Sequence, residues 1–309
     1  MYFSLVIPHF NIPQLLRRCL KSVPCREDLQ VIVVDDASSV ENVEKLHMLE
    51  SEFPYVEFAY MEENLGGGVA RNLGLEKAKG KYIFFADADD FFMPNLGQFL
   101  DDVKEKDFDL IFFNAISVDT DSYAITYRCW HLNRFIRMKS SNLNRSVFEL
   151  KYAFGEPWCK MIKRSVIEKN AIRFDETRIH NDTRFSYLVG HFCDSVFVDE
   201  RSVYCVTDRT GSVSKVLTPE RMIARAKVFA DANYFFKKNG IKRFDERAVR
   251  PLVKFLFKMD LKNFKKCKNV LCCSGMSSLD IYIKILIYPF YAFQKVCSSM
   301  SQYSMRLFG

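Results

Sequence analysis

The sequence has no Cys-x-x-Cys pair and no histidine at zinc-ligand spacing, so its ten cysteines do not read as a structural zinc site. The opening residues, Met1–Val6, are too short and lack the basic flank of a signal peptide. Free cysteines without such a signal are expected in a reducing cytosol. No Gly-x-Gly-x-x-Gly follows the first expected strand and no Gly-Lys-Ser/Thr occurs, which removes two common nucleotide-phosphate fingerprints. Internal repeats and low-complexity segments are absent too. The most apolar segment, Leu279–Phe293, is too short to span a bilayer and is interrupted by Asp280, Lys284 and Pro289. What is left is ordinary globular composition, 49% hydrophobic and 27% charged over 309 residues, enough for one large α/β domain with an appendage. Phenylalanine is in surplus at 29 residues, which suits a thick core and a surface that meets lipid.

The chain is organised around Tyr82–Asp90. Ile83–Ala86 is apolar without alternation, as expected of a central strand buried on both faces. It runs directly into Asp87, Asp89 and Asp90. Carboxylates this close repel one another and resist desolvation. The C-terminal end of a parallel strand is also where open α/β sheets bind ligands. On an extended chain Asp87 and Asp89 share a side, so the pattern fits a hard-cation site. A solvated acidic turn ahead of a helix near Pro94 is the other reading.

Around this stretch the chain alternates strand and helix. Strands are expected at Phe3–Pro8, Val31–Val34, Val56–Tyr60 and Leu110–Asn114, with helices at Pro13–Ser22, Glu41–Glu52 and Pro94–Glu105. Short connections between them imply a right-handed, parallel α/β arrangement. The run Gly66-Gly67-Gly68 opens a helix and can offer backbone N–H groups to an anion, or simply form a flexible turn. Arg71, one turn later, can neutralise a diphosphate, pair with the aspartates, or sit unpaired on the surface. Beyond residue 115 the rhythm stops. We expect a strand at Tyr123–Arg128, a loop at Lys139–Arg145, helices at Ser165–Asn170 and Asp182–Phe192, and a strand pair at Ser195–Val198 and Val203–Val206.

These residues resemble family 2 glycosyltransferases of the GT-A fold over about residues 3–213. The likeness rests on Leu5-Val6-Ile7-Pro8-His9-Phe10-Asn11, Val33-Val34-Asp35-Asp36, Asn64-Leu65-Gly66 through Gly74, and Asp87-Ala88-Asp89-Asp90. Trp158-Cys159-Lys160, Arg173–Glu176, Asp182 and Arg209–Ser212 continue it. The resemblance implies a Rossmann-like, mostly parallel sheet flanked by helices. It divides the part it covers into a nucleotide-sugar half (1–115) and an acceptor and catalytic-base half (116–215); the remaining residues, 216–309, read by their own spacing as a helical C-terminal extension. The resemblance further implies inverting transfer from a nucleoside-diphosphate sugar, with uracil as the base, to a saccharide or lipid-linked acceptor of cell-surface polysaccharide. Asp89 and Asp87 would hold Mn²⁺ or Mg²⁺; Pro8, Phe10, Asp36, Arg71 and Asp87 would surround the nucleotide; Asp182 would be the general base. Phe10 replaces a more usual tyrosine, and ring stacking survives that change. Asn181 replaces the first residue of the family's usual Glu-Asp pair. Alternatively, Asn181 or Asp182 caps the following helix, Trp158 is a core residue rather than an acceptor platform, and His180 is a loop histidine.

Two other classes compete. An aspartyl-phosphate phosphatase also carries Asp-x-Asp after a strand, but on its first strand. A non-catalytic sugar-nucleotide or partner-binding domain would keep the fold without the chemistry. In the C-terminal third, Arg243, Arg247, Arg250, Lys254, Lys258, Lys262 and Lys265 recur at helical spacing and suggest one continuous basic face. Residues 242–268 hold ten basic and three acidic residues, a surplus equal to the +7 of the whole chain. With Leu279–Phe293 this suits peripheral docking of 242–300 on an anionic membrane, at the inner face of the cell membrane. No groove-reading motif supports nucleic acid. A solvated helix face, or packing within the protein or in a homodimer, is the remaining alternative.

Overall fold

In the computed structural model, residues 1–209 and 218–289 are described. The chain divides into two compact units, residues 1–212 and 213–309. In the first, apolar stretches become strands and amphipathic stretches become their covering helices. β1 (Phe3–His9), α1 (Pro13–Lys21), β2 (Leu29–Asp35), α2 (Val40–Glu52), β3 (Val56–Tyr60), α3 (Gly67–Lys77) and β4 (Tyr82–Phe85) follow the expected alternation. Next come β5 (Phe91–Phe92), α4 (Leu96–Lys104), β6 (Leu110–Asp119), α5 (Trp130–Arg137) and α6 (Leu143–Tyr152). β7 (Lys160–Lys163), α7 (Arg164–Lys169), α8 (Asn181–Phe192) and β8 (Val196–Asp208) complete the unit.

The strands form one sheet in the order β3-β2-β1-β4-β7-β6-β8-β5. β1 pairs in parallel with β2 and β4, and β2 with β3. Register places His9 beside Asp35 and Val6 beside Phe85. The loops leaving β1, β2 and β4 therefore emerge at one edge of the sheet. That shared edge gathers the candidate site from three distant parts of the sequence. β1, β2 and β4 are buried through almost their whole length, as non-alternating apolar strands between two helix layers should be.

Several local expectations change. The strand predicted at Tyr123–Arg128 is reduced to a single bridge, Val118 to Ile125. The loop predicted at Lys139–Arg145 is mostly a 3-10 turn, Met138–Ser140, and the start of α6, where the Asn142 side chain accepts from Arg145 N–H. β7 is a central strand, antiparallel to both β4 and β6, although it begins with a lysine. The two short strands expected near 195–206 are one strand parallel to β6. Its polar middle is an irregularity rather than a hairpin: Asp199 accepts from the backbone N–H and guanidinium of Arg201.

The second unit contains α9 (Pro219–Lys238), a 3-10 turn at Glu246–Ala248, α10 (Arg250–Phe257), α11 (Leu261–Cys273) and a helical stretch over 278–289. Thr218 caps α9 by accepting from Arg221 N–H, Pro219 opens it, and Gly240 follows its end at φ 67°. Phe229, Leu252, Phe255, Leu271 and Ile281 form part of its own core. The single basic helix face expected over Arg243–Lys265 does not form. Met259 adopts φ 54°, and Asp260 accepts from Asn263 N–H to start α11 afresh. The cations are thus distributed over separate elements. Residues 290–300 of the proposed membrane segment lie outside the described residues.

Candidate active site

The loops leaving β1 and β2 are locked together by short polar contacts. Ile12 N–H donates to His9 Nε2 at 3.1 Å, which leaves the ring proton on Nδ1 to donate to Asp35 Oδ1 at 2.7 Å. Burial pushes the Asp35 carboxyl up, but hydrogen bonds from His9 and Ser38 outweigh it and hold Asp35 below its ordinary value. Asn11, at φ 57°, accepts from Ser39 N–H at 2.8 Å, and its own N–H donates to Ser38 Oγ at 2.8 Å. Phe10, between these anchored residues, is 45% exposed and presents a free ring face. Pro8 precedes the pair within β1.

Asp36 is buried and engaged within the protein. It accepts from Leu65 N–H at 2.8 Å, Gly66 N–H at 2.9 Å and Asn64 Nδ2 at 3.1 Å. Burial raises its carboxyl above the ordinary value, against these backbone donors. The anion that meets the first N–H groups of the glycine run is therefore Asp36. Gly66, at φ 98°, makes that turn possible. Gly68 serves a different purpose: a Cβ there would lie 2.2 Å from the Asp175 carbonyl and 2.9 Å from Asn181 Cβ. The glycines bring the start of α3 against the start of α8.

Arg71 uses that proximity. Its guanidinium donates to Asp87 Oδ1 at 2.7 Å and to Asn181 Oδ1 at 3.1 Å, and lies 5.5 Å from the Phe174 ring centroid. Of the alternatives open for Arg71, pairing with an aspartate is the one the structure adopts; the residue is buried, not a free surface arginine.

β4 stops at Phe85, and Asp87–Asp90 form a turn in which Asp90 N–H donates to Asp87 O at 3.0 Å. The chain here is not extended, so Asp87 and Asp89 are brought together by the turn rather than by strand alternation. One carboxylate oxygen from each of Asp87, Asp89 and Asp90 lies within 4.8 Å of the others. Their situations differ. Asp90 is buried, accepting from Tyr204 Oη at 2.8 Å and Thr207 N–H at 2.7 Å. Burial, then the charges of Asp87 and Asp89, push its carboxyl well above the ordinary range. Asp89 is half-buried and also raised, by burial and then by Asp87, against Arg209 and Arg128. Its backbone is fixed by Arg18 and Thr207. Three hard oxygen donors with mutual repulsion fit a divalent cation. The sequence reading singled out Asp87 and Asp89; the third carboxylate of the cluster, Asp90, is the one anchored to β8.

Asp182 occupies the first turn of α8. The residue in the N-cap position is His180, at φ 53°, and its side chain makes no capping hydrogen bond. The capping alternative for Asn181 and Asp182 is therefore not the arrangement seen: Asn181 instead accepts from Arg71 and donates to Thr177 O at 3.2 Å. Burial raises the Asp182 carboxyl to about 6, with Arg71 opposing and Glu156 and Asp87 reinforcing. Trp158 is a core residue, 4% exposed and stacked on Tyr204 at 6.0 Å. Lys160 escaped the sequence reading as an individual. Its ammonium is buried, donating to the carbonyls of Phe154 at 2.8 Å and Glu156 at 2.5 Å, and burial lowers it to about 7. The lysine thereby fixes the turn that carries Glu156.

Residues 4–170 match the sequence profile of Glycosyl transferase family 2. The chain belongs to that family. Among its relatives, it is 27% identical over 235 residues to the glycosyltransferase GlyA of Streptococcus pneumoniae, covering 72% of this chain but 32% of GlyA. The chain thus spans about a third of that relative. Among solved structures, Staphylococcus aureus TarS in complex with UDP-GlcNAc superposes with a TM-score of 0.60 at 17% identity, over 95% of this chain and 92% of that one. The mannosyltransferase PcManGT of Pyrobaculum calidifontis, in complex with GDP-Man and Mn²⁺, gives 0.55 at 14% identity, over 97% and 83%. At these identities the structural likeness establishes the GT-A fold, a mixed α/β sheet flanked by helices, as expected. Arg209 closes the described part of the family-like segment; Thr210–Ser212 lie outside the described residues.

Proposed function

We propose that this family 2 protein is a metal-dependent, inverting glycosyltransferase. It would move a sugar from a nucleoside-diphosphate sugar, a UDP-sugar first of all, to a saccharide or lipid-linked acceptor in cell-surface polysaccharide synthesis. The observation that carries the reading is the Asp87, Asp89 and Asp90 cluster, joined through Arg71 to the start of the helix that bears Asp182. The complexes of TarS with UDP-GlcNAc and of PcManGT with GDP-Man and Mn²⁺ share the fold and support the donor class.

The chemistry follows from the residues. A Mn²⁺ or Mg²⁺ ion held by Asp89 and Asp87 would supply positive charge to the diphosphate oxygens of the leaving group. Arg71, held at both ends, keeps Asp87 oriented and adds a fixed cation beside it. The exposed ring of Phe10 stacks on the base, next to Pro8, and Asp36 shapes that pocket by holding residues 64–66. Asp182 removes the proton of the acceptor hydroxyl. With its carboxyl raised to about 6, it is a stronger base than an ordinary aspartate, yet about nine in ten molecules are ionised at pH 7. The neutral Asn181 leaves the Arg71 charge to act on Asp87 and Asp182.

Membrane docking of the C-terminal unit belongs to the same proposal. At the turn between α10 and α11, Phe257, Met259 and Leu261 are exposed, at 85%, 78% and 62%. Lys258 lies in the same turn, with Lys254 one helical turn earlier in α10 and Lys262 at the start of α11. Apolar side chains among lysines suit an interface of anionic headgroups over acyl chains. Among the described residues no helix is long and apolar enough to cross a membrane. We place the site of action at the cytoplasmic face of the cell membrane. The donor reading is tested by calorimetric titration of UDP with and without Mn²⁺. Tight binding should need the ion and be lost in Asp89→Ala; metal-independent binding of equal strength in both proteins would contradict the assignment.

A further inference from the structure

Away from the active site, the C-terminal unit contains a cavity of about 330 Å³ between the end of α9, residues 241–244 and the turn before 278–289. Three lysines line it, Lys237, Lys242 and Lys284, together with Arg243, whose charge is shared with the neighbouring carboxylate of Asp245; the one carboxylate in the lining is Asp280. That carboxylate is occupied locally: Asp280 accepts from Ser277 Oγ at 2.7 Å, and its N–H donates back to the same oxygen at 3.0 Å. Lys237 and Lys242 are exposed and form no ion pair among the described residues. The Lys284 ammonium lies 4.4 Å from the Phe244 ring centroid. Tyr234 and Phe244 supply aromatic wall. Gly275 lets the first of these rings close on the backbone: it sits at φ 86°, and a Cβ there would come within 2.9 Å of Tyr234.

We infer that this cavity binds a phosphate-bearing ligand, a phosphate monoester or a diphosphate. Like charges gathered in one recess repel, and a multiply charged anion relieves the repulsion of all of them at once. Lysine ammonium groups are compact, rotatable donors that suit tetrahedral phosphate oxygens. The volume is at the small end of ligand pockets and matches a headgroup. The helical stretch that contributes Lys284 also exposes Leu279, Ile283 and Leu286, at helical spacing. Phosphate recognition beside an exposed apolar stripe points to a lipid phosphate as the source. That choice of source rests on the membrane-docking reading; the pocket itself does not.

The test is calorimetric titration of the full chain with sodium pyrophosphate in EDTA, which removes metal-dependent binding at Asp87–Asp90. We expect binding that weakens about tenfold or more in Lys237→Glu with Lys242→Glu. The control pair Lys79→Glu with Lys169→Glu makes the same charge change at exposed positions outside the cavity and outside the membrane-docking segment, and should stay within about twofold of wild type. No binding by wild type, or equal weakening in both pairs, overturns the pocket. Co-sedimentation with phosphatidylcholine vesicles containing phosphatidic acid separates the sources. Loss of vesicle binding in Lys237→Glu with Lys242→Glu, and competition by pyrophosphate, support the lipid. Unchanged vesicle binding alongside lost pyrophosphate binding overturns the lipid source and leaves a soluble organic phosphate as the ligand. Thermal melting of both pairs should match wild type, since all four lysines are exposed.

Discussion

Replacing Asp182 with asparagine separates chemistry from structure, because the two roles predict opposite signs. As a general base, Asp182 must be ionised. Its raised value of about 6 puts an acidic limb on the transfer rate. At pH 5 about one molecule in ten is active, so the rate falls roughly tenfold from its plateau. Asp182→Asn should lower kcat by about two to four orders of magnitude and leave the KM for the donor unchanged. Stability should move the other way. An aspartate carboxyl raised from 3.8 to about 6 in the fold is penalised when ionised. The penalty is present above about pH 6 and vanishes below the unfolded value. It amounts to at most about 3 kcal/mol at pH 7, less any relief from water at this half-buried site. The variant should therefore melt higher than wild type at pH 7, and the gain should shrink as the pH falls through 6 towards 4. A helix cap predicts the reverse, a loss of about 1 kcal/mol on replacement. Donor hydrolysis or transfer measured from pH 4.5 to 8, with calorimetric melting of both proteins, decides. A near-wild-type rate in Asp182→Asn, with a flat acidic limb and a lowered melting temperature, would refute the base assignment.

Other expectations concern packing and docking. Gly68→Ala puts a Cβ 2.2 Å from the Asp175 carbonyl and should cost about 1–3 kcal/mol by denaturant titration, while separating α3 from α8 and weakening the Arg71 to Asn181 contact. An unchanged midpoint would mean that the two helices are free to part. Phe257→Glu should reduce co-sedimentation with anionic vesicles, by roughly tenfold or more, without lowering the melting temperature, because the ring is 85% exposed. Equal vesicle binding in the variant would remove the α10–α11 turn from the membrane interface.

The strands were legible where burial on both faces left apolar runs without alternation, as at Val31–Val34 and Ile83–Ala86. β7 was not, because a buried lysine opens it; its charge is accommodated by two carbonyls that no local pattern predicts. α5 and α6 were missed for a related reason: their polar residues hide the apolar positions Leu132, Phe135, Ile136 and Leu150 that face the core. For the site, spacing identified the aspartates of the Asp87–Asp90 turn but not their division of labour. Asp90 is set apart by Tyr204 and Thr207, more than a hundred residues away. Asp36 likewise turned out to hold the loop at 64–66, a contact made by folding rather than by neighbours in sequence. The break at Met259 shows the limit of periodicity: basic spacing continued through a residue whose backbone does not.

The central claim is metal-dependent use of a nucleotide sugar, and slow donor hydrolysis tests it most directly. A panel of UDP- and GDP-sugars is incubated with the full chain, with Mn²⁺ and with EDTA, and release of the free nucleotide is followed. The account predicts release from at least one donor, UDP-linked first of all, that requires the ion and is abolished in Asp89→Ala. Absence of release and of binding for every donor with either Mn²⁺ or Mg²⁺, or hydrolysis that continues unchanged in EDTA and in Asp89→Ala, would contradict it.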